Sequence, residues 1–120
     1  DGTQERGFIY VTDLVDGMIE TMEKKSDGEP INLGNSKEVV SMNELAEKII
    51  EISGKDLSIE HDLSMPTGTD KYAADMTKMK DELNWEPSVE LSDGLERVYQ
   101  WAEQQLEGTK RSAVADGGDI

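Results

Sequence analysis

Few side chains in this sequence stand where their types and spacing could run a reaction. The lone histidine, His61, has no cysteine or second histidine to share a metal ion with, because the 120 residues contain one His and no Cys. It also lacks the serine and acid, in the right order, that nucleophilic hydrolysis requires. No Tyr-x-x-x-Lys pair occurs. A phosphate-cradling loop needs clustered glycines between a strand and a helix start, and neither Gly34 nor Gly117-Gly118 stands there. Asp13 and Asp16, one helical turn apart, could chelate a cation, but a solvated helix face explains them as well. His61 reads better as a surface or hydrogen-bonded residue than as a catalytic one. What remains is a chain with no catalytic or metal-ligating residues of its own.

Composition narrows the classes further. Twenty-seven acids against 12 bases give a formal charge of −15, a field that repels nucleic acid and anionic membrane surfaces. The same field opposes any anionic ligand that lacks a local cation. No apolar run reaches the roughly 18 residues of a membrane span, and the first residues do not resemble a signal peptide, so a cytoplasmic protein is expected. The chain opens without Met at Asp1-Gly2-Thr3, which suggests a piece of something longer or a processed chain. Its length suits one domain with a modest core.

The elements of the chain follow from periodicity. Phe8-Ile9-Tyr10-Val11 reads as a strand, and Thr12 as the cap of a helix carrying Leu14, Val15, Met18, Ile19 and Met22 on one face. That helix should stop near Ser26-Asp27-Gly28. Pro30–Asn35 reads as a short strand entering a turn. Ser41-Met42-Asn43-Glu44 is a capping box, opening a helix with Met42, Leu45, Ala46, Ile49 and Ile50 inward and ending at Ser53-Gly54. Leu57–His61 alternates as a half-buried strand does, and Ser64–Asp70 is a loop. A short helix over Asp75–Asn84 should bury Met76, Met79 and Leu83. A last helix, capped by Ser92, should bury Leu95, Val98, Tyr99, Ala102 and Leu106. Ala113–Ile120 reads as a frayed tail. The order β-α-β-α-β-α-α predicts a small α/β fold, three-layer-like, with some parallel pairing.

Four blocks then carry a resemblance. Asp1–Gly17, reading Asp-Gly-Thr-Gln-Glu-Arg-Gly-Phe-Ile-Tyr-Val-Thr-Asp-Leu-Val-Asp-Gly, looks like a signature of the extended short-chain dehydrogenase/reductase enzymes, the nucleotide-sugar epimerases, dehydratases and decarboxylases. Pro30-Ile31-Asn32-Leu33-Gly34-Asn35 is similar to that family's following strand. Asp75-Met76-Thr77-Lys78 and Leu83-Asn84-Trp85-Glu86-Pro87, with Leu91–Leu95, resemble its closing section. The blocks fall in the right order over residues 1 to about 106, and their agreement carries more than any one of them.

The resemblance implies a substrate-binding C-terminal domain over residues 1–107, followed by a flexible tail over 108–120. It implies a Rossmann domain elsewhere that holds NAD(P) and the Tyr/Lys catalytic pair, so that this chain alone binds no cofactor and is inactive. By the same resemblance Arg6 reaches the diphosphate of a UDP-, GDP- or dTDP-linked sugar, with Asn32, Asn35, Lys71 and Tyr72 as further substrate contacts. A paired surface Arg6 and turn-forming asparagines are the plainer alternatives. The sequence departs from the family in the loop Gly68–Ala74, where one or two arginines are usual and Lys71 is the single cation, without the planar fork of a guanidinium. A homodimer fits the resemblance. A standalone interaction or self-association module, using surfaces that would otherwise meet the Rossmann half, is the alternative reading.

Overall fold

The computed structural model describes residues 1–66 and 68–116. The elements run β1 (Glu5–Gly7), α1 (Val11–Lys24), β2 (Val39–Ser41), α2 (Met42–Ser53), β3 (Lys71–Tyr72), α3 (Thr77–Leu83) and α4 (Leu91–Asp116). This is the expected α/β order, but its strands lie elsewhere in the chain. The sheet has the order β2-β1-β3, with β1 antiparallel to β2 and parallel to β3. Arg6 sits in its centre, opposite Val40 on one side and Tyr72 on the other.

Phe8–Val11, Pro30–Asn35 and Leu57–His61 are not strands, and the reason is one of partners. Strand propensity measures fit to a pleated surface that neighbours must supply. Ile31 and Leu33 find a core to pack on but no ladder, and in Leu57–His61 only Ile59 is even half-buried. The ladder goes instead to Glu5-Arg6-Gly7, a run of weak intrinsic preference. Gly7 suits it because a side chain there would collide with the carbonyl of Asn35.

Helix α1 begins at Val11 with Tyr10, not Thr12, at its N-cap, and it ends at Lys24, just ahead of the expected stop near Ser26-Asp27-Gly28. Its buried side is the opposite of the expected one. Asp13 and Gly17 are buried, whereas Val11, Val15, Met18, Ile19 and Met22 are between 47% and 80% exposed. The reason is hydrogen bonding: the Asp13 carboxylate accepts from the Ser88 and Val89 amides at 3.0 and 2.8 Å and from the Ser88 hydroxyl at 3.0 Å. Asp16 accepts from the Trp85 indole N–H at 2.7 Å. Both acids tie α1 to the rest of the fold, Asp13 from a buried position and Asp16 from an exposed one. Gly17 lets α1 lie close to Leu33 and Trp85, since a Cβ would stand 2.6 and 3.1 Å from them.

The core is small. Met79 is fully buried, and Leu83 and Trp85 join it, with Ile9, Ile31, Leu33 and Met76 packed around them. Burying side chains of this size contributes about 1.5–3 kcal/mol each. Helix α3 thus buries Met79 and Leu83 as expected, although it starts at Thr77 rather than Asp75, whose carboxylate accepts from the Thr77 amide at 3.0 Å. The capping box of α2 is complete: Ser41 accepts from the Glu44 amide at 3.1 Å, and the Glu44 carboxylate accepts from the Ser41 amide at 2.7 Å. Gly54 closes α2 with φ +63°.

Helix α4 packs on α2 and is opened not by Ser92 but by Glu38, whose carboxylate accepts from the Leu91 amide at 2.6 Å. Leu95, Tyr99 and Ala102 are its half-buried stripe; Val98 and Leu106 face outward, contrary to expectation. The helix continues past Gly108 to Asp116, and residues 117–120 of the expected tail lie outside the described residues. No described helix is long and apolar enough to cross a membrane.

Candidate functional site

Asp1, Gly2 and Gln4, with Arg6 of β1, line a cleft of about 470 Å³. Helix α2 supplies Met42, Asn43 and Ala46 to the same cleft. The irregular segment after α2 supplies Ile59, His61, Met65 and Gly68. The volume lies within the range of small-ligand sites. Arg6 donates from Nη1 to the Glu5 carbonyl at 2.7 Å, which orients the guanidinium. Its Nη2 lies beneath Gly68, where a Cβ would stand 3.8 Å away. Among the described residues no carboxylate comes within ion-pair distance of Arg6. Asp13 is committed to Ser88 and Val89, and Glu5 to Lys71.

The structure does not bring the other sequence-derived candidates into this cleft. The Lys71 ammonium pairs with the Glu5 carboxylate at 3.4 Å. Both residues occupy the sheet face opposite Arg6, because Glu5 and Lys71 are register partners. Tyr72 is the register partner of Arg6, shares its face and is 69% exposed. Asn32 is exposed. Asn35 is buried, and its side-chain oxygen accepts from the Lys37 amide at 3.0 Å, forming the turn.

His61 is exposed and hydrogen-bonded, as expected, but its partner Asn43 and their place in the cleft escaped sequence reasoning. His61 Nε2 lies 2.7 Å from Asn43 Oδ1, which joins the segment after α2 to the first turn of that helix. Asn43 is hidden inside the capping-box signature, and the apparent strand around His61 masked its reach across the cleft. Asp62 stands beside them, its carboxyl held below the ordinary 3.8 by the Ser64 hydroxyl and amide. With Asp1 and Glu60 also lining the cleft, Arg6 is the permanent cation in a negative surrounding.

Among the described residues no glycine-rich turn leads from a strand into a helix, as a dinucleotide cradle requires. The β1–α1 connection is Phe8-Ile9-Tyr10, without glycine, and β2 runs directly into α2. Asp13, in the first turn of α1, would set a carboxylate against a pyrophosphate.

Comparison with known proteins identifies the family. The sequence profile of the family described as GDP-mannose 4,6 dehydratase matches residues 1–98. GDP-mannose 3,5-epimerase 1 of Oryza sativa is 37% identical over 118 residues, covering 98% of this chain and 30% of its own length. UDP-glucuronic acid decarboxylase 1 of Arabidopsis thaliana is 42% identical over 98 residues, 82% of this chain and 22% of the relative. The crystal structure of UDP-glucuronic acid 4-epimerase from Bacillus cereus, in complex with UDP-glucuronic acid and NAD, superposes with a TM-score of 0.79 at 36% identity, over 88% of this chain and 34% of that one. The chain therefore spans about a third or less of the proteins it matches. It belongs to the GDP-mannose 4,6-dehydratase family, among the NAD-dependent nucleotide-sugar epimerases and dehydratases of the extended short-chain dehydrogenase/reductase type.

Proposed function

We propose that this chain is the nucleotide-sugar-binding portion of an NAD-dependent epimerase or dehydratase, with Arg6 as the residue that grips the diphosphate. The observation that carries this reading is an oriented guanidinium in an open cleft with no carboxylate partner among the described residues. A planar fork of donors matches two phosphate oxygens, and it is the group that can overcome the surrounding negative charge. Tyr72, on the same sheet face, is placed to stack on the ligand's flat parts, while Lys71 is neutralised by Glu5. The chain is catalytically inactive alone, because it lacks a dinucleotide cradle and a Tyr-x-x-x-Lys pair. In the complete enzyme NAD(P) supplies the hydride chemistry. The exposed apolar stripe of α1 supports the same reading, since a larger assembly would cover it. Adding an NAD-binding portion should restore turnover of a UDP-, GDP- or dTDP-sugar; a complete enzyme that binds no nucleotide sugar would sink the proposal.

The α1 stripe also favours a second reading, in which two copies of this chain cover Val11, Val15, Met18, Ile19 and Met22 against each other. Sedimentation velocity separates the two, since a compact monomer at high concentration contradicts self-association.

A further inference from the structure

We infer that His61 is a positioning residue: its bond to Asn43 latches the segment Leu57–Pro66 in place as the wall of the cleft that faces Arg6. The ligand half of this inference rests on the nucleotide-binding reading above, while the latch itself rests on geometry alone.

The segment contains no helix or strand, and among the described residues no backbone hydrogen bond ties it to the sheet or the helices. Ile59 is its one half-buried residue. Leu57, Leu63 and Met65 are 55%, 71% and 71% exposed, so apolar burial holds little of it. Ser64 donates to Asp62, which shapes the segment but does not attach it. The attachment is His61 Nε2 to Asn43 Oδ1 at 2.7 Å.

Asn43 is a firm anchor. Its amide donates to the Gly2 carbonyl at 2.9 Å, and its Nδ2 donates to the Asp1 carbonyl at 3.3 Å. It stands within the capping box of α2, and Gly2, at φ +80°, leaves room for its side chain where any Cβ would collide. One end of the latch is thus rigid and the other belongs to a segment of low local stability. Because Ile59, His61 and Met65 line the cleft with Arg6, freeing the segment removes a wall and widens the set of geometries a ligand meets.

The test is the initial rate of limited chymotrypsin cleavage after Leu57 and Leu63 in the wild-type chain, His61→Ala and His61→Gln, with binding of UDP and GDP measured on each. His61→Ala should speed cleavage in that segment about two- to ten-fold, as loss of one exposed hydrogen bond would, and leave the urea midpoint of the whole chain unchanged. It should weaken the diphosphate by a similar factor, with His61→Gln, which retains a donor, recovering part of both. Unchanged cleavage in His61→Ala overturns the latch. Faster cleavage with unchanged affinity overturns the positioning role. Wild-type chain that takes neither nucleotide overturns the binding reading, and the cleavage rates then decide the latch separately.

Discussion

Asp13 and Ser88 lie 75 positions apart in sequence, yet the carboxylate of one receives both the amide and the hydroxyl of the other at 3.0 Å. A third bond from the Val89 amide completes the clasp. It fastens α1 to the segment ahead of α4 and turns the apolar stripe of α1 outward. Replacing Asp13 by Ala would leave two part-buried backbone donors without their acceptor, and we expect a loss of about 1–3 kcal/mol in urea unfolding. A loss below about 0.5 kcal/mol would mean that the clasp is incidental.

Gly17 should resist even the smallest addition. Ala is the better helix former by about 1 kcal/mol, but its Cβ would press on Leu33 and Trp85. Overpacking of that kind costs about 1–3 kcal/mol. Gly17→Ala should therefore be destabilising on balance, with a changed Trp85 fluorescence. A stabilised variant would show that α1 can shift freely.

The capping box gives a dependence on pH. The Glu44 carboxyl is held below its ordinary 4.5 chiefly by the Ser41 amide, and the Asp75 carboxyl below 3.8 by the Thr77 hydroxyl and amide. A depressed folded-state pKa contributes stability above the unfolded value, and this is lost as pH falls through the folded one. Ser41→Ala should cost about 1 kcal/mol at neutral pH. Glu44→Gln should destabilise at neutral pH, and the gap from wild type should close below about pH 4. A gap that persists into acid would contradict the assignment.

Much of the helical architecture was legible in the sequence. The capping box of α2, its Gly54 stop, and the inward Met79 and Leu83 depend on neighbours within a few residues, and they stand where periodicity put them. The strands did not, because pairing is long-range: Arg6 meets Val40 and Tyr72 only after the chain has turned back twice. The outward stripe of α1 was misread for a related reason. Periodicity reports that a face is apolar, not which partner covers it, and the Asp13 clasp on Ser88 and Val89 decides the matter here. At the site, Arg6 is singled out by family resemblance alone, and its place in the cleft comes from the fold. The bond between His61 and Asn43 was not legible, because it joins an irregular segment to a helix cap.

Charge offers a further test. A formal −15 on 120 residues repels itself in the compact state. Raising NaCl from millimolar towards molar should raise the urea midpoint, because screening acts on that repulsion more than on the few exposed ion pairs. A midpoint that falls with salt would mean that specific ion pairs outweigh the net field.

The most direct test of the central claim is an NMR titration of this chain and of Arg6→Gln with UDP-, GDP- and dTDP-hexoses at low salt. The account predicts saturable shifts around Arg6, Asn43 and His61 with one of the three nucleotides, largely lost in Arg6→Gln. Shifts of equal size in the variant, or no response at millimolar ligand from either chain, would contradict the assignment of Arg6 as the diphosphate-binding residue of this chain.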